Sequence, residues 1–205
     1  MSDAAEVEKQ LNDYIKFLRE RIFFEPLSAP LHYNLGIAYT RKGLREEAIS
    51  EFKQALECDP RMAEAWVNLG RLFFQDNDLD GCIRANRRAL EINPDLPMAH
   101  SNLGFAHLQR GQLTEALAAC RRAVELAPTL LQAHHNLALI HLQLGDPEAA
   151  VAAGLGVLQL NDRFAPAHHQ LARAYRLLGD EGRARKHRDQ ALALGYPAED
   201  APETP

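Results

Sequence analysis

Pro60, Pro94 and Pro128 stand 34 residues apart in this chain of 205, and Asp162 and Tyr196 occupy the next two places on the same ruler. A fixed period of this length marks a repeat architecture, in which each unit is one supersecondary element that buries its apolar face on its neighbours. Cutting at 29, 63, 97, 131 and 165 yields five ungapped units, 29–62, 63–96, 97–130, 131–164 and 165–198, between a leading segment 1–28 and a tail 199–205.

The columns of the stacked units show what each unit is. The seventh place is always leucine: Leu35, Leu69, Leu103, Leu137, Leu171. Small residues hold the eighth (Gly36, Gly70, Gly104, Ala138, Ala172), the twentieth (Ala48, Cys82, Ala116, Ala150, Ala184) and nearly all of the twenty-seventh (Ala55, Ala89, Ala123, Val157, Ala191). Such columns let two helices cross with their backbones close. The fifteenth reads Gly43, Asn77, Gly111, Gly145, Gly179, the residues that best tolerate positive φ, so a first helix ends there. Asp78, Asp146 and Asp180 follow as N-caps of a second helix, with Pro147 at a first helical position. Each unit is therefore a helical hairpin.

Trp66, Leu69, Gly70, Phe73, Ala89 and Pro94 in the second unit, and the equivalent residues of the first and third, resemble the tetratricopeptide repeat family over about residues 29–196. The resemblance implies an all-α fold, a right-handed α-α superhelix (solenoid) of five hairpins whose concave surface commonly holds a peptide. Repeats four and five drift, with Gly154 and Arg188 in the column of Phe52, which calls the tightness of C-terminal packing into question. Val7, Leu11, Tyr14, Ile15, Leu18 and Ile22 recur at helical spacing and read as the inner face of an N-terminal capping helix. Arg183, Arg185, Lys186, His187, Arg188 and Asp189 make the last helix a polar cap, and the acidic, Pro-rich tail is expected to be disordered.

Several function classes are disfavoured. A net charge of -5 provides no overall basic field for nucleic acid. The longest apolar run, 149–158, is short for a membrane span, and MSDAAEVEKQ lacks a secretory pattern. Cys58, Cys82 and Cys120 form no CxxC, so a reducing, cytoplasmic setting is expected. Phosphate-loop, HExxH and GxSxG motifs are missing, and no enzyme activity and no cofactor are expected.

The partner site is expected in the groove lined by first helices. Its sixth column is a ladder of amides, Asn34, Asn68, Asn102, Asn136 and Gln170, whose paired donors and acceptors suit an extended peptide backbone. Asparagine ladders grip backbones in the resembled family; the alternative is that Asn suits this column for local helical reasons. In the ninth and twelfth columns Phe74, Phe105, Leu108, Leu139 and Leu142 read as an apolar floor, with Arg71 to one side and Arg173 and Arg176 at the C-terminal end. Some of these side chains could instead pack between helices. The fifth column, Tyr33, Val67, Ser101, His135, His169, lacks the lysines of the family's carboxylate clamp. The expected partner is another protein, through an extended or helical segment; a self-associating homo-oligomer that fills its own groove is the alternative.

The histidines are largely periodic. His32, His100, His134 and His168 share the fourth column with Trp66, and His107 and His141 share the eleventh with Tyr39, Phe73 and Tyr175, which reads as flat packing with one satisfied nitrogen. His135 and His169 lie one repeat apart and are weak metal candidates, since two imidazoles without carboxylate or thiolate make a poor site. A histidine-based metal or pH sensor is the third reading.

Overall fold

The computed structural model describes residues 3–197, all helical with short connections and no strand among them. The acidic tail 199–205 lies outside the described residues. A leading helix α1 (Asp3–Phe24) is followed by five hairpins: α2 (Ala29–Lys42) with α3 (Arg45–Cys58), α4 (Ala63–Gln75) with α5 (Leu79–Ile92), α6 (Pro97–Gln109) with α7 (Leu113–Leu126), α8 (Leu131–Gln143) with α9 (Pro147–Leu160), and α10 (Ala165–Leu177) with α11 (Glu181–Ala193). Every first helix is followed by a residue at positive φ, Gly43 at 77°, Asn77 at 60°, Gly111 at 70°, Gly145 at 71° and Gly179 at 73°. That left-handed residue turns the chain, and Asp78, Asp146 and Asp180 then accept the backbone N–H of Gly81, Ala149 and Arg183 to start the second helix. The chain divides into two compact units, Met1–Asn102 and Leu103–Pro205.

In the first unit, Leu11, Ile15, Leu18 and Ile22 seat α1 on Leu35 and Ala38 of α2. Val7 and Tyr14, expected on that face, are 63% and 44% exposed. At about 100° per residue they lie roughly 50° and 70° from the centre of the buried stripe. Tyr14 occupies the place where the five repeats carry a buried small residue, Ala48, Cys82, Ala116, Ala150 and Ala184. Phe52, fully buried, anchors the neighbouring core with Leu56, Leu69 and Leu72. In the second unit, Leu137, Ile140 and Cys120 form one cluster and Leu171, Tyr175 and Ala184 another.

Close helix crossings lie between the eighth and twenty-fourth places. A Cβ on Gly36 would stand 2.8 Å from the Phe52 ring, one on Gly70 2.1 Å from the Asn86 amide, and one on Gly104 2.2 Å from Cys120 Sγ. In repeat four the sizes are exchanged, Ala138 at the eighth place and Gly154 at the twenty-fourth. The space left by Gly154 is taken by Leu171 of the next repeat, whose Cγ would be 2.9 Å from an added Cβ. At Gly154 the drift therefore leaves the packing closed, with Gly154 and Leu171 both buried, whereas Arg188 at the same place of repeat five is exposed.

A second recurring contact ties each inter-repeat loop to the following helix. Ring nitrogens of His32, Trp66, His100, His134 and His168 meet the carbonyls of Pro26, Pro60, Pro94, Pro128 and Asp162, six residues earlier, at 2.8 to 3.2 Å. An indole N–H only donates and a carbonyl only accepts, so the histidines carry a proton on Nε2. Pro26 extends the proline ruler one period toward the N-terminus, which places α1 and its loop in register with the second helices of the repeats. At the other end His168 Nδ1, left as an acceptor, receives His187 Nδ1–H at 2.9 Å, and His187 stacks on Tyr175. Burial holds the His187 imidazole below its ordinary 6.5, reinforced by the nearby His168 and Lys186.

Two outcomes are expected. Gly104→Ala should destabilise the protein by about 1–3 kcal/mol, and Cys120→Ala in the same chain should recover part of that loss, read as melting temperature by circular dichroism. Equal melts for Gly104→Ala and wild type would refute the close crossing. Because unfolded His187 binds its proton at higher pH than folded His187, its contribution is complete above about pH 6.5 and is lost as pH falls through the lowered folded value. Melts between about pH 7.5 and pH 5 should therefore fall less steeply in His187→Phe than in wild type.

Candidate functional site

The sixth-place amides are mostly spent inside the fold. In the first unit Asn102 Nδ2 donates to Asn86 Oδ1 at 3.1 Å, and Asn86, fully buried, donates to the Cys82 carbonyl at 2.8 Å. Asn68 Nδ2 donates to the Glu64 carbonyl at 2.9 Å and approaches the Tyr33 hydroxyl at 3.4 Å. Asn34 is half-buried. In the second unit Asn136 is fully buried, accepts from Gln132 Nε2 at 3.2 Å, and is hydrogen-bonded to the Cys120 thiol, which burial nevertheless pushes up to about 12. Gln170 is buried too, its Nε2 donating to His135 Nδ1 at 2.9 Å.

Two geometries account for four of the five amides, all but Asn34. Asn102 and Asn136 reach the twenty-fourth place of the preceding repeat, Asn86 and Cys120; Asn68 and Gln170 reach its fifth-place ring, Tyr33 and His135. The ladder is an inter-repeat staple, and Asn136 and Gln170 do not present a free amide edge to a peptide. Asn86 was the residue that sequence reasoning passed over. An amide in a column otherwise holding Phe52, Cys120, Gly154 and Arg188, against Gly70, was its signal.

The ninth and twelfth places remain on the surface to different degrees. Leu108, expected on the floor, is buried in the core with Leu137 and Ile140. Its helix turns that side chain toward α7 and α8 partners, and a leucine there earns more from burial than from facing solvent. Phe105, Leu139 and Leu142 are half-buried in the second unit, as are Phe74 and Arg71 in the first, where burial lowers the pKa of the Arg71 guanidinium. Arg173 and Arg176 are exposed.

Neither metal candidate stands ready to ligate. His135 gives its Nδ1 to Gln170 and sets its ring edge-on to Phe164 at 5.2 Å, with burial lowering its pKa. His169 stacks on Tyr196 at 4.8 Å. Among the described residues no group of three or more His, Cys, Asp or Glu side chains is arranged to hold a metal ion. No helix among them is long and apolar enough to cross a membrane.

Comparisons with known proteins agree with this architecture. No curated protein matches the sequence significantly. Among solved structures, MamA superposes with a TM-score of 0.67 at 22% identity, covering 85% of this chain and 98% of its own. YrrB, described as a TPR protein with an unusual peptide-binding site, gives 0.67 at 19% identity over 87% of this chain and 92% of its own. Pseudomonas aeruginosa PilF gives 0.74 at 24% identity over 82% and 76%. Tetratricopeptide repeat family models match residues 11–63, 33–97 and 95–160. With most of its length matched and its helices paired as in these solenoids, the chain belongs to the tetratricopeptide repeat family.

Proposed function

We propose that this chain is a non-enzymatic adaptor or assembly chaperone that holds an extended or helical segment of another protein against its first helices. The observation that carries the reading is the row of half-buried apolar side chains on those helices: Phe105, Leu139 and Leu142 in the second unit, and Phe74 beside Arg71 in the first. Apolar side chains left half in water on each unit are surface that a partner can cover favourably. The amides contribute less to recognition than their column suggests; Asn34, Asn68 and Asn102 retain partial exposure and can supplement the apolar contacts. The peptide-binding site named for YrrB supports the same class of function. Three free cysteines support a reducing, cytoplasmic setting.

A self-associating homo-oligomer is favoured by a different observation. The outer side of α1 and its loop exposes Tyr14, Phe17, Phe23, Phe24 and Leu27, with Phe23 at 80% and Leu27 at 84%. Light scattering over a concentration series separates the two readings, since self-association through α1 gives a dimer that Phe17→Ser with Phe24→Ser dissolves.

Capture of partners from native lysate with wild type, Leu142→Asp and Arg121→Glu tests the first-helix site. Arg121 is exposed on the second helix α7. The proposal expects a partner retained by Arg121→Glu and lost by Leu142→Asp at unchanged melting temperature. Its affinity should fall by up to about 3 kcal/mol in Phe105→Ala when an apolar anchor is bound there. Loss in Arg121→Glu alone would move the site to the second helices.

A further inference from the structure

The first helices carry almost none of the chain's acid. Of 28 Asp and Glu residues only Glu64 lies on α2, α4, α6, α8 or α10, whereas Arg41, Lys42, Arg71, Arg173 and Arg176 all do. Five bases against one acid leave the first helices at +4, and the remainder of a chain of net charge -5 at -9. The overall acidity therefore belongs to the second helices, loops and ends, and hides a basic, apolar set of helices.

This segregation is clearest in the second unit. α8 carries no Asp, Glu, Lys or Arg, and α10 carries only Arg173 and Arg176. Both arginines are exposed, and neither has a carboxylate partner among the described residues. Leu139 and Arg173 hold the ninth place of successive repeats, Leu142 and Arg176 the twelfth, and α8 packs directly on α10. By this register two half-buried leucines on α8, of which Leu139 also packs on the core cluster around Leu108, stand at the same repeat places as two exposed guanidiniums on α10, with axes roughly 8–10 Å apart as packed helices are.

We propose that the α8–α10 face takes an acidic, apolar protein segment, with a large apolar side chain on Leu139 and Leu142 and a carboxylate on Arg173 and Arg176. In an extended segment rising about 3.3 Å per residue, the helix spacing corresponds to an apolar residue and an Asp or Glu about three positions apart. The carboxylate is that of the Asp or Glu side chain, which guanidiniums bind in a bidentate way. Nucleic acid fits poorly, because two arginines beside leucines neutralise few phosphates and the rest of the chain repels a polyanion. The proposal rests on the first-helix reading above, and adds the chemistry of the partner.

A display library of random peptides selected on the full chain at physiological salt tests it. Selected sequences should be enriched in Asp or Glu together with large apolar residues. Resynthesised, they should bind Arg173→Glu with Arg176→Glu about tenfold more weakly than wild type, and should bind wild type more tightly as salt is lowered. Both arginines are exposed, so the double variant should melt with wild type, and the melt is measured alongside. A selected pool without acidic bias, or peptides that bind the double variant as well as wild type, would overturn the proposal. If those peptides are still weakened by Leu142→Asp, the first-helix site stands and only its charge preference fails. If they are indifferent to both variants, or if no peptide is selected, the first-helix reading fails as well. A wild-type dimer that the double arginine variant dissociates would make a second copy the occupant, and would also overturn it.

Discussion

Everything in this molecule depends on two helices crossing at backbone distance. Gly36, Gly70 and Gly104 leave room for a side chain from the twenty-fourth place, and no Cβ fits there without displacing it. In repeat four Gly154 stands on the other helix and Leu171 fills the space. The crossing sets where each hairpin's second helix lies, and so where the next repeat must dock. Small residues concentrate at these contacts because a larger side chain on both sides would force the helices apart at a cost of about 1–3 kcal/mol.

Much of this was legible in the sequence where the controlling chemistry is local. Positive φ at Gly43, Asn77, Gly111, Gly145 and Gly179, and the caps at Asp78, Asp146 and Asp180, follow from residue types acting on their own backbone. Legibility stopped where a side chain's partner lies on another helix. The period shows that Asn102 and Asn136 are equivalent, but not that both point at the preceding repeat's second helix. Val7 and Tyr14 were misplaced for a related reason. Three- and four-residue spacing defines a broad apolar arc, and only the neighbour present, α2, selects which part of it is buried.

The same division explains the surface. Sixth-place amides cement repeat to repeat, fourth-place rings clamp each loop through its carbonyl, and seventh-place leucines fill the core. On the first helices α8 and α10 the ninth and twelfth places keep some surface, apolar at the half-buried Leu139 and Leu142 and basic at the exposed Arg173 and Arg176, whereas Leu108 on α6 belongs to the core. Arg173 and Arg176 are exposed, so partner choice can vary there at little cost to stability.

Hydrogen–deuterium exchange on the full chain, alone and saturated with its captured partner, tests the assignment of that surface most directly. The account predicts new protection over residues 131–143 and 165–177, the helices α8 and α10, with α9 and α11 unchanged. Protection confined to α9, α11 or α1, with α8 and α10 exchanging as in the free protein, would contradict it.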